Sequence, residues 1–203
     1  MKVVIVSGTP GTGKTTLSRK LTKRLKFRYI DVNKIISEYN LSEGYDRKRK
    51  TRIVNVNKLN KVLIKEINIL TKNYIIKNSR IFNPEKYKLF FDNGKYNEKL
   101  PIKNKKFKKN IKKYKGIIID SHLSHYLPRK YVDFCIVTKC DIKELNKRLK
   151  KKKYDKNKIQ ENLQAEIFDI CLNEARQRKH KILIADTTKG FNINKIAQQL
   201  GGH

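Results

Sequence analysis

The chain has 203 residues, which is enough for one α/β domain with a sizeable buried core. It carries 50 Lys and Arg against 18 Asp and Glu, a formal net charge of +32, which predicts attraction to a polyanion such as RNA, unless the charge reflects codon drift in an A/T-rich genome. No apolar run is long enough for a transmembrane helix, and the first residues have the pattern of a strand rather than of a signal peptide, so we expect neither membrane insertion nor secretion.

Apolar segments rich in Val and Ile alternate with amphipathic segments along the chain. The segments that predict strands are residues 3–7, 27–30, 116–120, 132–138 and 182–186. The segments that predict helices are residues 14–25, 32–39, 56–70, 142–149, 155–174 and 192–200. Short buried strands separated by helices predict a parallel sheet with helices on both faces.

The predicted helix at 155–174 has an apolar stripe, because its apolar side chains recur every three or four residues. The stripe consists of Ile159, Leu163, Ile167 and Ile170. We expect it to pack on the sheet along its whole length.

The turn between the first strand and the first helix matches the phosphate-loop (P-loop) pattern G-x-x-x-x-G-K-[ST] at residues 8–15. In that pattern the backbone N–H groups of Gly11 and Gly13 and the positive end of the helix face phosphate oxygens. Lys14 reaches the β- and γ-phosphates, and the Thr15 hydroxyl is a Mg²⁺ ligand. The alternative is a glycine-rich turn that binds nothing, but the correct flanking strand and helix favour a nucleoside triphosphate site.

Residues 73–115 interrupt the alternation. They are rich in Lys, Asn and Tyr, show no sustained period, and include eight lysines between positions 100 and 115. Such a stretch buries too little apolar surface to offset the entropy of ordering it, which predicts a mobile basic insertion with a short hairpin near residues 92–94. Its lysines and aromatic rings suit RNA binding. The alternative is a connector without function, since an A/T-rich genome also produces chains rich in Lys and Asn.

A second element of a phosphate site follows the insertion. The apolar strand at 116–120 ends in Asp120, where P-loop enzymes place a carboxylate that helps to hold Mg²⁺. His122 lies two residues further on and is suited to orient water or relay a proton beside the γ-phosphate. The alternatives are a turn-capping role for Asp120 and a structural hydrogen bond for His122. His125 has no such placement argument.

The three cysteines are odd in number and lack the spacing of a metal site. Cys135 falls in an apolar strand and Cys171 in an amphipathic helix, so we expect both to be reduced thiols in the core. Reduced thiols indicate a cytosolic or nuclear protein.

Four blocks together resemble the adenylate kinase isoenzyme 6 family, the nuclear branch of the adenylate kinases found in archaea and eukaryotes. The blocks are GTPGTGKTT at 8–16, YIDVN at 29–33 with EGYD at 43–46, IDSH at 119–122 with LP at 127–128, and YD at 154–155 with ENLQAEIF at 161–168. The Asp-x-His pair combined with the last block is far more specific than the P-loop alone. The resemblance covers most of the chain except the insertion.

The resemblance implies a P-loop NTPase fold of three αβα layers, with a parallel five-stranded sheet in the order 2-3-1-4-5, as one kinase domain over residues 1–203. It implies a monophosphate-binding segment at 32–55 and a short lid at 151–161. The implied activity is transfer of phosphate from ATP to AMP with Mg²⁺, together with ATPase activity. The implied setting is late maturation of the small ribosomal subunit, with a platform ribosomal protein and rRNA as partners. An archaeal protein would be cytoplasmic, and a eukaryotic one nuclear or cytoplasmic.

The resemblance also implies site residues. The catalytic residues would be Lys14, Asp120 and His122, and the metal ligands Thr15 and Asp120. ATP would be bound by Gly11, Gly13, Lys14, Thr15, Thr16, Lys152 and Lys189. The monophosphate would be bound by Asp31, Lys34, Gly44, Tyr45 and Asp46.

Several positions depart from the family pattern, among them the basic run at 47–50, where the family often has acidic residues, and Asn55, where it often has an aspartate. Lys152 stands where the family has a lid arginine, and a lysine lacks the bidentate guanidinium, so Arg148 is a candidate substitute. Ser37 stands where some members have the arginine that holds the acceptor phosphate. The candidates to replace that arginine are Lys34, Arg47 and Arg52.

Three functions remain open from the sequence. The first is a nucleoside monophosphate kinase, and the second is an ATP-driven assembly factor in which Asp120 and His122 serve attack by water. The third is a non-catalytic basic RNA-binding module that uses ATP as a structural ligand.

Overall fold

The computed structural model describes residues 1–47, 51–78 and 114–201, and for 72–78 it describes the backbone alone. The strands are β1 (Lys2–Ser7), β2 (Arg28–Asp31), β3 (Ser42–Asp46), β4 (Thr51–Val54), β5 (Gly116–Asp120), β6 (Phe134–Lys139) and β7 (Ile182–Asp186). The helices are α1 (Lys14–Leu25), α2 (Val32–Glu38), α3 (Val56–Asn78), α4 (Ile142–Lys151), α5 (Lys156–Ile167), α6 (Ile170–Gln177) and α7 (Ile193–Gln199). Two 3₁₀ turns, Ser124–Tyr126 and Arg129–Tyr131, lie between β5 and β6.

Five of the strands form a parallel sheet in the order β2-β5-β1-β6-β7. Counted along the chain within this sheet, the order is 2-3-1-4-5, so the predicted P-loop fold is confirmed. Helices cover both faces because every central strand is apolar on both sides. One buried cluster joins the sheet to α2, α3 and α6, and a second joins the opposite face to α1 and α7.

The strand order places the carboxyl ends of β1 and β5 side by side. Val6 of β1 lies opposite Asp120 of β5, and Asp31 of β2 lies opposite Asp120 on its other side. Ligands of open parallel sheets bind at this edge, where the chain connections diverge to the two faces. The P-loop and the predicted metal carboxylate therefore emerge at one place.

Strands β3 and β4 form a separate antiparallel hairpin that the sequence pattern did not predict. Both strands are short and mostly exposed, so they lack the alternation of apolar and polar residues that marks a half-buried strand. Residues 48–50 between them lie outside the described residues. The hairpin falls within the predicted monophosphate-binding segment.

The predicted single helix at 155–174 is wrong. It is two helices, α5 and α6, separated at Phe168 and Asp169, and Asp169 has a left-handed backbone with φ of 53°. Ile167 is 59% exposed and Ile170 is 43% exposed, so the predicted stripe does not pack on the sheet along its length. The reason is that the two halves serve different partners: α5 packs against α4, whereas α6 packs against β6 and the first 3₁₀ turn.

Only the two ends of the predicted basic insertion at 73–115 lie within the described residues. Helix α3 continues to Asn78, eight residues beyond its predicted end, so the start of the predicted insertion at 73–78 is helical. The rest of it, with the hairpin predicted near 92–94, lies outside the described residues. Among the helices that are described, none combines the length and apolarity that a membrane span requires.

Candidate nucleotide-binding site

A cleft of about 1160 Å³ opens at the carboxyl edge of the sheet. Its walls are the P-loop, the segment after β5, the turn between α4 and α5, helix α6, and the loop after β7. The predicted site residues that line it are Gly11, Gly13, Lys14, Thr15, Thr16, Asp120, His122 and Lys152. Residues far apart in the sequence are thus brought to one cavity.

The P-loop has the backbone conformation that its glycines permit. Gly13 has φ of +88° and caps the start of α1 without any side-chain hydrogen bond, so the first N–H groups of the helix are free to face a ligand. Gly8 leaves no room for a side chain, because an added Cβ would lie 2.5 Å from Oγ1 of Thr138. The first turn of α1 has no acidic residue to compete with an anion.

Buried side chains hold the loop from below. The Thr9 hydroxyl donates to Oε2 of Glu166 at 2.6 Å, and Oε1 of Glu166 accepts from the backbone N–H of Cys140 at 2.9 Å. Thr187 donates to the carbonyl oxygen of Thr12 at 2.6 Å. Reasoning from the sequence missed the role of Glu166, although the block at 161–168 contains it. This glutamate fixes the loop to the end of β6.

Lys14 folds back over its own loop. Its Nζ donates to the carbonyl oxygens of Gly8 and Thr9 at 2.8 and 2.9 Å. Burial lowers the pKa of Lys14 to about 8, Asp120 acts against this shift, and the nearby cation Lys152 adds to it. The desolvated ammonium is therefore placed to exchange two carbonyl partners for phosphate oxygens.

Asp120 is buried at the end of β5 and is already oriented by a neighbour. Its Oδ2 accepts a hydrogen bond of 2.8 Å from the hydroxyl of Tyr29 on β2. The pKa of Tyr29 is raised by burial and then by this hydrogen bond, so Tyr29 remains a donor. Asp31, the neighbour of Asp120 in register, instead caps α2 by accepting from the N–H of Asn33 at 3.0 Å.

The donor set fits Mg²⁺. The Thr15 hydroxyl and the Asp120 carboxylate are hard oxygen ligands on the same cleft. Within the described parts of the chain, no group of three or more His, Cys, Asp or Glu side chains could hold a metal on its own. A cation at this site would complete its shell with phosphate oxygens and water, which is the usual arrangement for Mg²⁺ in phosphate sites.

The two histidines after β5 occupy different environments. His122 is accessible within the cleft, and the surrounding protein, followed by the Lys14 ammonium and His125, lowers its pKa to about 4, so it is neutral at pH 7. His125 is buried and lies 2.6 Å from the Ser7 hydroxyl and 2.8 Å from Glu174. No sequence pattern indicated the role of His125, because its partners are distant in the chain.

Comparison with known proteins agrees with this geometry. A family model described as an AAA domain matches residues 4–169. A Methanosarcina mazei protein named "Putative adenylate kinase" is 34% identical over 183 residues, covering 90% of this chain and 77% of that protein. A protein of the same name from Methanocaldococcus jannaschii is 30% identical over 91% of this chain and 76% of its own length. The chain belongs to this adenylate kinase-like family. The "Adenylate kinase isoenzyme 6 homolog" of Caenorhabditis elegans is 25% identical over 98% of this chain and 88% of that protein.

The adenylate kinase-like family membership confirms the predicted resemblance, while the predicted ribosomal role stays a prediction. The predicted monophosphate-binding segment at 32–55 comprises α2 and the β3–β4 hairpin. Asn33 of α2 and Thr51 of β4 line the cleft, and Asp46 lies opposite Thr51 in the hairpin. None of the predicted acceptor residues is part of the lining, and three of them, Lys34, Gly44 and Tyr45, are exposed.

Arg52 contacts Ser37, the position at which the sequence resemblance implies an arginine in some family members. Its Nη1 donates to the Ser37 hydroxyl at 2.7 Å. Ser37 lies one helical turn after Asn33, so both face the same side of α2. Of the three candidates to replace the missing arginine, Arg52 is the one whose guanidinium contacts Ser37.

The predicted lid at 151–161 spans the last residue of α4, a tight turn and the first half of α5. Lys152 caps the end of α4 and lines the cleft, while Tyr154 packs against the buried cluster beneath it. Arg148 also lines the cleft, but its guanidinium donates to the carbonyl oxygens of Thr187 and Thr188 at 2.8 and 3.0 Å. Arg148 therefore fixes the loop after β7, which carries Lys189. Lys189 itself is exposed next to Gly190, a residue of the cleft wall.

The cysteines are free thiols. Cys135 and Cys140 are buried. Cys171 is partly exposed and lines the cleft, so its predicted place in the core is wrong. The cause is the break before α6, which turns this position toward the cavity.

Proposed function

We propose that the protein is a nucleoside monophosphate kinase that converts ATP and AMP to two molecules of ADP. The observation that carries the proposal is the convergence, on one cleft, of a P-loop with its lysine and a buried, oriented carboxylate from the adjacent strand. The names of the relatives support adenine nucleotides as substrates.

The chain's own residues would act by positioning and by charge. The N–H groups at Gly11 and Gly13 and the ammonium of Lys14 would bind the phosphates of ATP. Thr15 and Asp120 would hold Mg²⁺, which supplies charge neutralisation for the transferred phosphoryl group. An oxygen of AMP attacks the γ-phosphorus while the bond to the bridging oxygen breaks, and ADP leaves.

Arg52 is the proposed partner of the acceptor phosphate. Its guanidinium is exposed beside α2, and its contact with Ser37 holds it against the cleft-facing side of that helix. A guanidinium matches the two oxygens of a phosphate better than lysine does. Lys152 would contribute positive charge from the opposite wall.

The direct test is the rate of ADP formation from ATP with and without AMP. A rate that rises with AMP concentration and saturates supports phosphoryl transfer. A rate that is the same without AMP rejects the kinase and leaves hydrolysis as the activity of the site.

A second candidate function is ATP hydrolysis coupled to assembly. The position of the His122 imidazole on the cleft favours it, because such a group can orient an attacking water by a hydrogen bond. In His122→Ala we expect ATPase activity to fall more than ATP affinity. Equal ATPase activity in the variant would remove His122 from the reaction.

We extend this proposal to late maturation of the small ribosomal subunit, with a platform ribosomal protein and rRNA as partners. The support is the sequence resemblance and the net charge of +32. The proposed location is the cytoplasm in an archaeon, and the nucleus or cytoplasm in a eukaryote. ATP turnover that is unchanged by the platform protein, and no RNA retention even at low salt, would contradict these partners.

A further inference from the structure

A chain of hydrogen-bonded side chains lies behind the P-loop and connects its entry to helix α6. The Ser7 hydroxyl lies 2.6 Å from Nδ1 of His125, and Nε2 of His125 lies 2.8 Å from Oε2 of Glu174. The other oxygen of Glu174 accepts from the Tyr126 hydroxyl at 2.8 Å. Ser7 and His125 are buried, and the Glu174 side chain is 32% exposed in the wall of the cleft.

The partners determine where the protons lie. A carboxylate only accepts, so Nε2 of His125 must carry the proton that faces Glu174. In a neutral ring Nδ1 is then an acceptor, and the Ser7 hydroxyl donates to it. The opposite tautomer would set two acceptors 2.8 Å apart. Burial lowers the pKa of His125 more than the carboxylate raises it, which favours the neutral ring.

This chain of hydrogen bonds holds the backbone where β1 enters the P-loop. Ser7 is the last residue of β1, and the carbonyl oxygen of Gly8 after it is one of the two that accept from Lys14. Glu166, at the end of α5, holds Thr9 directly. Two glutamates on either side of the break at Asp169 therefore hold loop residues that are two positions apart.

We propose that His125 is a positioning residue for nucleotide binding, which acts through Ser7 to fix the backbone at Gly8 and hence the ammonium of Lys14. Although His125 belongs to the cleft wall, its side chain is buried and both ring nitrogens are engaged by Ser7 and Glu174, so the proposed role needs no contact with phosphate. The inference rests on the ATP site of the proposed function, but not on AMP as the acceptor.

Two substitutions test the hydrogen bonds of the two His125 ring nitrogens separately. In His125→Asn the amide oxygen replaces Nδ1 and keeps the link to Ser7, whereas in His125→Gln the amide nitrogen replaces Nε2 and keeps the link to Glu174. Each breaks the chain once, so we expect about 10-fold weaker ATP binding in calorimetry for both. Ser7→Ala should match them, and Ser7→Ala combined with His125→Gln should be no weaker than His125→Gln alone, because both remove the same link.

Tyr39→Phe is the matched control. The Tyr39 hydroxyl donates to the buried carboxylate of Glu66 at 2.9 Å, and neither residue lines the cleft. The Tyr39→Phe substitution should lower the melting temperature of the protein without changing its ATP affinity. Folded His125 and Ser7 variants with wild-type ATP affinity would overturn the proposal, as would additive effects in the double variant.

A measurement on the wild-type protein tests the proposal even if the variants do not fold. The ¹⁵N and ¹H shifts of the His125 ring at pH 7.5 should show the neutral tautomer with the proton on Nε2. A neutral ring with its proton on Nδ1 contradicts the proposed chain, because Nε2 would then face Glu174 as an acceptor. If ATP affinity depends on His125 but ADP formation does not depend on AMP, only the acceptor assignment of the proposed function fails.

Discussion

The hydroxyl of Tyr29 lies 2.8 Å from Oδ2 of Asp120 and donates to it across the β2–β5 pair. This contact leaves the other carboxylate oxygen free to face the cleft, so it orients the proposed metal ligand. Groups that orient a metal ligand affect metal affinity strongly.

Tyr29→Phe should therefore raise the Mg²⁺ concentration needed for half-maximal ATP turnover by about 10-fold. The loss of one hydrogen bond to a charged group should also cost about 1–2 kcal/mol of unfolding free energy. Tyr39→Phe, which removes the equivalent bond to Glu66, should cost similar stability without changing the Mg²⁺ requirement. An equal Mg²⁺ response in the two variants would contradict the role of Tyr29.

ATP affinity should depend on pH through Lys14. Its pKa in the free protein is lowered to about 8, whereas bound phosphate favours the ammonium and raises that pKa. Affinity should be constant from pH 7 to about 7.5 and should then fall by up to about tenfold per pH unit as the pH rises above 8. Calorimetric titrations between pH 7 and 9.5 measure this directly.

Lys14→Met is the control for this pH dependence. It should bind ATP weakly at every pH in the range and should lack the decline above pH 8. A decline of the same size in Lys14→Met would assign the titration to another group.

Glu166 and Asp169 provide a matched pair of carboxylates, because both contact Lys139. Glu166 is buried and also accepts from Thr9 and from the N–H of Cys140, so Glu166→Gln leaves mismatched groups in the core. We expect it to lower the unfolding free energy by about 2–4 kcal/mol and to weaken ATP binding.

Asp169→Asn removes only a partly exposed ion pair and should cost less than about 1 kcal/mol with no change in ATP affinity. Urea unfolding and ATP titration of both variants check these expectations. Equal costs would show that the contact of Glu166 with Thr9 contributes nothing.

Arg52 should affect AMP and not ATP. Arg52→Ser should raise the KM for AMP by about 10-fold or more and leave the KM for ATP within about twofold, because a charge-assisted contact to the acceptor phosphate is lost. Ser37→Arg in the same chain should restore much of the lost affinity, since it returns a guanidinium to the adjacent position on α2.

Arg24→Ser serves as the control for this series. Arg24 is an exposed arginine that donates to Asn194 at 3.0 Å, on the face of the sheet where α1 meets α7. Its loss should change neither KM. A rise in the KM for ATP in Arg52→Ser would place Arg52 on the donor side instead.

Patterns that are local in the chain were sufficient for the five strands of the sheet and for the P-loop, whereas the strand order was predicted from the family resemblance. The 12 residues of α1 were predicted to the residue, because an αL glycine precedes Lys14 and the apolar period ends at Leu25. The β3–β4 hairpin and the break at Asp169 escaped prediction. The hairpin has no apolar alternation, and the residues around the break keep a helical period while their side chains face solvent.

The sequence by itself determined that a P-loop begins after β1 and that a carboxylate ends β5, because each depends on residues adjacent in the chain. The tertiary structure alone decided which distant side chains meet: Tyr29 with Asp120, Arg52 with Ser37, and Ser7 with Glu174 through His125. The physical reason is that periodicity records which face of an element is buried, whereas a hydrogen bond between two elements depends on how both pack around the same core.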